Sequence, residues 1–389
     1  MSSFKNAFVQ IAKDAKSPEN IQYLNVLDIE RFSKKIAALG GVFLYGCGNV
    51  GNQIAFMLNN MILPICGVCD SYRNGTFRLT GQTIMSPEEL REKHPEAFVL
   101  ITTDNENYER EMIDKLKKLG FADTQILPHS KLPKKVIGPA TTVESFIDKY
   151  YEGYNFAYDQ LADDTSRRAL IDRVRYYITN QPFAHRYRGP RYFPKGVQGF
   201  QSPSHGEVFV DGGAHHGETV RSFIEHAEAA GVSDWKIYSF EPEIRKCDHI
   251  KTKFARYGNL EVLPMGLWST ETELTFYLSH TFSQLASFYK KIEHEDIEEI
   301  TIPVTSLDAF FKDKPQSDWP TFIKMEIRGA EIEALKGAKK IIKTKRPKLA
   351  LSVYHEIEHS YELLRIAQEY NPDYYFYYGL NRLYAVQTS

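Results

Sequence analysis

Val208-Phe-Val-Asp211-Gly212-Gly213-Ala214-His215-His216-Gly217-Glu218, followed by Tyr238-Ser-Phe-Glu241-Pro242, decides the reading of this chain. The first stretch reads as a buried strand, a glycine-rich turn and a helix start. The second reads as a strand that ends in a carboxylate. Together they form the first half of a doubly wound nucleotide site, whose ligand lies outside the carboxyl ends of the strands. Gly212, Gly213 and Gly217 are expected to let a ligand approach the backbone, with Ala214 and Glu218 completing the turn. The helix that follows offers its N-terminal N–H groups to a carboxylate. Glu241 is placed to accept hydrogen bonds from ribose hydroxyls, and Pro242 makes a sharp exit from its strand. The acid precedes the glycines, whereas dinucleotide enzymes open with Gly-x-Gly-x-x-Gly. An acid-first turn suits a ligand with a cationic amino-acid part, with Asp211 opposing its ammonium, so S-adenosylmethionine (SAM) is the cofactor expected here. The competing reading is a Rossmann-like domain that binds another nucleotide, or nothing.

Outward from this stretch the α/β alternation continues. Strands are expected at 207–211, 236–240, 260–265, 301–304, 321–326 and 347–353, with helices between most of them. The tail, Asp373-Tyr-Tyr-Phe-Tyr-Tyr378 and Arg382-Leu-Tyr-Ala-Val386, reads as a hairpin across a Gly-Leu-Asn turn. Its tyrosines are a candidate sugar-stacking surface, but their alternation is better explained by strand packing on both faces. The insertion from Ser279 to Glu299 carries Glu293, Glu295, Asp296, Glu298 and Glu299 and reads as a solvated helix.

A second α/β unit precedes the first. Val42-Phe-Leu-Tyr45 reads as a strand, Gly46-Cys-Gly48-Asn-Val-Gly51 as a Gly-x-Gly-x-x-Gly turn opening a helix, and Leu63 to Cys69 as a strand ending at Asp70. Gly46, Gly48, Gly51 and Asp70 are thus candidates for a nucleotide site of their own. Ser86-Pro87-Glu-Glu signals a helix start and Phe98 to Thr102 a third strand. The pattern stops near Pro128 without a second mononucleotide half, and no Tyr-x-x-x-Lys set for hydride transfer is visible. The expected organisation is α/β with two Rossmann-like domains: residues 1–130 with a helical start over 1–40, a helical connector at 131–205, and 206–389 with a mostly parallel sheet and a terminal antiparallel hairpin.

Composition narrows the function classes. The chain has 389 residues, 42% of them hydrophobic, enough for two cores, and a formal charge of −2 that points to neither nucleic acid nor an anionic membrane. No apolar run reaches membrane-spanning length, and the N-terminus lacks a secretory core. Cys66 and Cys69 form a C-x-x-C, but no second pair or His cluster completes a metal site. A reduced, cytoplasmic protein without a metal, using cysteine as a small apolar residue, is the expectation.

The C-terminal region, from Tyr192-Phe-Pro194 onward, resembles the FkbM family of SAM-dependent methyltransferases. The matching pieces are Val208 to Thr219, Phe240-Glu241-Pro242, Val304-Thr-Ser-Leu-Asp308, Phe322-Ile-Lys-Met-Glu-Ile-Arg-Gly-Ala-Glu331 with Leu335-Lys-Gly-Ala338, and Ser352-Val-Tyr-His355. The resemblance implies a class I methyltransferase fold and methyl transfer to oxygen, commonly on glycan sugars or natural products. It also implies a small Rossmann-like domain ahead of the catalytic one. This chain departs from the family pattern, Asp-x-Glu-Gly, in having Glu326-Ile-Arg328-Gly329. Arg328 is open to three readings: a partner for an anionic acceptor such as a phosphorylated or uronic sugar, a sign of impaired catalysis, or a surface helix residue.

A hydroxyl acceptor needs a base. His355, at a strand end and with a suitable pKa, and Glu326 are the catalytic candidates. Glu356, Glu358 and His359, and Asp308 with Glu326, are a minority metal reading. Two alternatives to the methyltransferase remain: an NAD-dependent oxidoreductase using the first domain, and a non-catalytic SAM- or nucleotide-binding module. The expected partner is a small-molecule or glycan acceptor, with no nucleic acid and no membrane insertion; a homodimer is allowed.

Overall fold

The architecture rests on two sheets whose strands are near-continuous apolar runs, as strands covered on both faces must be. In the computed structural model the described residues are 3–16, 36–60, 63–77, 79–103, 105–129, 143–179, 184–279, 297–379 and 381–387. The remainder of the expected N-terminal helical stretch, residues 131–142 of the connector, Glu293, Glu295 and Asp296 of the insertion, and Leu380 of the tail turn lie outside them. By compactness the chain divides into Met1–Asp148 with Val174–Pro182, and Lys149–Arg173 with Phe183–Ser389.

In the first unit, α1 (Ser3–Lys16) precedes β1 (Val42–Tyr45), α2 (Asn49–Asn60), β2 (Ile65–Cys69), β3 (Ile84–Met85), α3 (Pro87–Lys93), β4 (Val99–Ile101), α4 (Glu106–Lys118) and β5 (Ile126–Leu127). The strands form one parallel sheet in the order β3-β2-β1-β4-β5. Alternate residues of β1 serve opposite faces: Leu44 enters one core cluster with Val68 and Leu100, while Phe43 and Tyr45 enter another with Val99 and Ile101. Helix α3 starts as its sequence predicts, with Ser86 and Glu89 closing a capping box and Pro87 in the first turn. Cys66 and Cys69, three apart on β2, face opposite sides of the strand; Cys69 is buried and Cys66 exposed.

Two helices follow, α5 (Val143–Gln160) and α6 (Asp164–Thr179). The second unit then builds β6 (Val208–Gly212), α7 (Glu218–Ala229), β7 (Lys236–Phe240), α8 (Ile244–Lys253), β8 (Leu260–Leu263), β9 (Gly266–Leu267), β10 (Thr272–Ser279) and β11 (Ile297–Thr305). It continues through α9 (Leu307–Phe310), β12 (Phe322–Met325), α10 (Glu331–Lys336), α11 (Lys339–Lys345), β13 (Lys348–Ser352), α12 (His359–Tyr370), β14 (Tyr375–Tyr378) and β15 (Arg382–Val386). Its seven-stranded sheet has the order β14-β15-β13-β12-β6-β7-β8, parallel except at the terminal hairpin, where β15 lies antiparallel between β13 and β14. Strand order reverses at β6, which lies between β7 and β12, so the switch point is at its carboxyl end. One core cluster is aromatic: Phe209 of β6 stacks on Phe223 of α7 at 4.8 Å and 2°, with Phe322 of β12 against Phe209.

Two expectations are corrected. The strand near 301–304 is β11, and it leaves the main sheet. It pairs antiparallel with β10 and parallel with β9 in a separate three-stranded sheet. The alternation of Thr272–Ser279 makes β10, an element the sequence reading passed over. Glu298 and Glu299 lie on β11 and are exposed there, so this end of the acidic insertion is strand rather than helix. In the tail, Tyr374, Phe376 and Tyr378 are buried while Tyr375 is half exposed, the pattern of strand packing.

Candidate active site

The floor of the site is an ion pair. Lys324 of β12 sits in register with Asp211 of β6. Its Nζ donates to Asp211 Oδ1 at 2.8 Å, to the Gly212 carbonyl at 3.1 Å and to the Gly213 carbonyl at 2.8 Å. Both side chains are almost wholly buried. Asp211 therefore does not face a ligand ammonium, as the strand-tip position had suggested. It is matched internally, and the pair ties the first and fourth strands of the doubly wound order together beneath the cleft.

The glycines also have internal reasons. Gly213 has φ +79°, and a Cβ there would stand 2.2 Å from the Glu326 carbonyl oxygen. Gly217, left-handed at the N-cap of α7, would place a Cβ 2.7 Å from the Phe254 ring, and Gly212 would meet Leu267 and the Lys324 carbonyl. Protein atoms, rather than a ligand, are what approach these three positions. The turn is fastened to β7: the amides of Gly213 and Ala214 donate to the Phe240 carbonyl, and that of His215 donates to Glu241 Oε2 at 2.8 Å. Glu241 Oε1 accepts from the Glu243 amide. Burial raises the Glu241 carboxyl above its ordinary value, with the charge of Lys246 opposing. Lys246 in turn pairs with Glu243 at 2.8 Å. Glu218, in the first turn of α7, accepts from the His216 amide.

At the tip of β12, Glu326 accepts from the Tyr192 and Tyr354 hydroxyls and from Arg382 Nη2 at 3.1 Å. Burial disfavours its charge, but Lys324, Arg382 and the two hydroxyls outweigh that and hold the carboxyl well below its usual range. A carboxylate so held is a poor proton acceptor, so Glu326 does not suit the role of base. Arg328 follows in the left-handed region at φ +58° before Gly329 at +106°. It belongs to the loop, not to a helix surface. His215 shares its strained backbone, with φ +52°.

His355 stands away from the cleft wall. Its Nδ1 lies 2.7 Å from Glu331 Oε1, and His359 Nδ1 lies 3.4 Å from the other oxygen of the same buried carboxylate. Glu331 also accepts from the amides of Ile327 at 2.8 Å and Gly329 at 2.9 Å. His355 thus fixes the loop that carries Glu326 and Arg328, a positioning arrangement in place of the expected base. Among the described residues no group of three or more His, Cys, Asp or Glu side chains is arranged to hold a metal ion. Asp308, from the minority metal reading, instead accepts from the amides of Lys340 and Ile341 at the start of α11.

A cleft of about 570 Å³ opens over this floor at the switch point. The structure brings Gly213, Ala214, Glu218, Glu241, Pro242, Glu326 and Arg328 to its wall, and leaves Asp211, Gly212, Gly217 and His355 off it. It adds Arg191, Tyr192, His215, Lys246 and Lys324, together with the apolar Phe240, Leu267 and Phe276, which sequence reasoning did not single out as site residues. Lys324 carried a signal, since a lysine inside an apolar strand is buried only when paired. Tyr192 and Lys246 carried none locally.

In the first unit, the motif glycines serve the turn itself. A Cβ at Gly51 would stand 2.0 Å from the Gly46 carbonyl oxygen and one at Gly46 2.7 Å from Thr102 Oγ1, while Gly48 faces open space. Asp70 Oδ2 accepts from the Cys47 amide at 2.8 Å and Oδ1 from the Tyr72 and Arg73 amides. Arg73 closes the ring by donating to the Cys47 carbonyl. Asp70, a candidate for a nucleotide site in the sequence, thus staples the glycine turn to the loop after β2.

Strand order and the terminal antiparallel hairpin follow the class I methyltransferase plan, with the cleft at its switch point. Residues 211–373 match the family model for the methyltransferase FkbM domain. The chain is similar over 98% of its length, and 99% of the other, to a methyltransferase FkbM from Methylobacillus flagellatus KT, with 20% identity and a TM-score of 0.70, a likeness of fold. It also aligns over 47% of its length, and 82% of the other, with a SAM-dependent methyltransferase from Aquifex aeolicus, at 14% identity and a TM-score of only 0.26. No curated protein matches the chain.

Proposed function

We propose that this protein is a SAM-dependent O-methyltransferase whose acceptor is a carbohydrate hydroxyl. The observation that carries the methyl-donor half is the cleft over β6, β7 and β12, where Glu241 stands at the second strand's tip beside the glycine turn. Its volume is in the range of small-molecule sites. Glu241 is buried, ringed by fixed amides and placed to accept from vicinal hydroxyls; Phe240, Leu267 and Phe276 supply apolar wall. These residues fit SAM, which when bound supplies a methyl group on a sulfonium.

The chain's own residues do the rest. Glu326, locked as an anion, gives the far wall a fixed negative charge. His215 is the proton acceptor for the hydroxyl: it lies on the cleft wall, and burial, with help from Lys246, pushes its imidazole below the ordinary value, so it is neutral at pH 7 and has a ring nitrogen open to a proton. The family resemblance and the polar part of the cleft wall, with Arg191 and Arg328, support the carbohydrate class. The dinucleotide alternative is less well supported, because Asp70 lines neither the cleft nor the cavity of about 410 Å³ beside its own turn.

Isothermal titration of the full chain with S-adenosylhomocysteine, and separately with NAD, tests the donor assignment. Binding of the homocysteine analogue that Glu241→Ala weakens at least tenfold is expected; binding of NAD alone overturns it.

A further inference from the structure

A second groove, of about 1080 Å³, lies beside the cleft and is built largely from the segment His185-Arg-Tyr-Arg-Gly-Pro-Arg191. Arg168 of α6, Arg186, Arg188, Arg191 and Arg382 line it, and Asp164 is the one carboxylate on its wall. Asp164 is already paired with Arg167 at 3.1 Å. Positive charge therefore prevails over a surface of molecular size, in a chain whose overall charge is −2.

The arginines are held on a prepared platform. Asp172, buried on α6, accepts from the amides of Ala184 at 2.8 Å and His185 at 2.7 Å, and His185 Nδ1 lies 3.0 Å from the same oxygen. Two residues on, the Tyr187 hydroxyl turns inward to Asp163, at 2.7 and 2.6 Å, and to Ser166 at 2.9 Å. Arg188 accepts from the Lys195 amide at 2.7 Å, which closes the segment into a bridge. Arg186 and Arg188 flank the anchored Tyr187, are exposed, and line the groove together with it. Fixing the backbone that carries two arginines lining one groove lowers the entropy lost when they grip a ligand.

The groove also communicates with the cleft. Arg191 lines both. Arg382 lines the groove and donates through Nη2 to Glu326 and to the Tyr192 hydroxyl, each at 3.1 Å, and both of these line the cleft. On the reading that this is a methyltransferase for a carbohydrate hydroxyl, we infer that the groove holds an anionic group of the acceptor, a phosphate or a carboxylate on the same saccharide. The reacting hydroxyl then lies in the adjoining cleft. Guanidinium forks match both oxyanions in geometry.

Calorimetry on the full chain with glucose 1-phosphate, glucuronic acid, neutral glucose and a ten-nucleotide oligouridylate, at 150 mM salt, tests this. The variants are Arg186→Ala/Arg188→Ala and, on a different element, Arg168→Ala. Binding of the sugar phosphate or the sugar acid, but not of glucose, is expected, weakened tenfold or more in the double variant while S-adenosylhomocysteine affinity stays unchanged. The tighter of the two sugars identifies the oxyanion. Anion affinity equal in wild type and both variants, or tighter binding of oligouridylate than of either sugar, overturns the inference. Failure of the wild type to bind S-adenosylhomocysteine sinks the methyltransferase reading instead, a distinct result.

Discussion

His215 and Arg328 are two of the three non-glycine residues with positive φ among those described, and both lie on the wall of the same cleft. Such backbone conformations cost free energy and persist where the surroundings over-determine them. Here the Glu241 carboxylate fixes the His215 amide, and Glu331 fixes the amides on either side of Arg328. The two histidines that compete for the role of base then differ in what they touch. His215 borders the cleft, with its imidazole lowered by burial; His355 holds Glu331. His215→Ala is expected to reduce kcat by roughly 10²- to 10⁴-fold with donor affinity retained. In the wild type, activity should be full at neutral pH and fall as pH drops through the His215 value, which lies below the ordinary value of about 6.5. His355→Ala should lower the melting temperature, and kcat in part, yet leave that acidic limb where it was. A limb that vanished in His355→Ala and survived in His215→Ala would reverse the assignment.

Between β6 and β12 the decisive contact is one that neither strand announces alone. Each is an apolar run with a single charge, and only the parallel register sets Lys324 opposite Asp211, 113 residues away. The lysine ammonium meets three acceptors, so the two charges neutralise each other, while Asp211 Oδ2 is buried without a hydrogen-bond partner. Removing one partner leaves the other charge stranded. Lys324→Met is expected to cost about 3–5 kcal/mol in chemical denaturation. The double variant Lys324→Met/Asp211→Leu should recover a large part of that, because no charge is then left buried alone. Equal losses in the single and double variants would show that the pair acts through packing and not through charge.

At the scale of the molecule, local periodicity was enough for the main sheet of the second unit, but not for the two-residue strands Ile84–Met85 and Ile126–Leu127 at the edges of the first unit's sheet. Val208–Gly212, Lys236–Phe240, Phe322–Met325 and Lys348–Ser352 are strands that their apolar runs announce, and the aromatic tail is the hairpin its alternation implies. What escaped was pairing across distance. Tyr192 reaches Arg382 across 190 residues and Glu326 across 134, contacts that no window of sequence contains. The departure of β11 from the main sheet was equally hidden, because its apolar run is compatible with either sheet and the choice depends on β10 and β9 as partners. The glycine turns misled in an instructive way: Gly46 to Gly51 and Gly212 to Gly217 both look shaped for a ligand, while the atoms that crowd Gly46, Gly51, Gly212, Gly213 and Gly217 are the protein's own. Which turn receives a ligand must therefore be read from the carboxylate beyond it. Both carboxylates accept from amides on both oxygens, but Glu241 lines a cleft of about 570 Å³, whereas the cavity of about 410 Å³ beside the first turn is lined by Cys47 and Arg73 and not by Asp70. Hydrogen exchange of the full chain should register that difference. With S-adenosylhomocysteine at a hundred times its Kd, binding adds about 2.7 kcal/mol to the unfolding free energy. Slower exchange is expected in peptides covering 211–219 and 240–246, and unchanged exchange in those covering 45–52 and 69–74. NAD at the same concentration should slow none of these. Protection by NAD confined to 45–52 and 69–74 would make the first turn a working dinucleotide site despite its occupied aspartate.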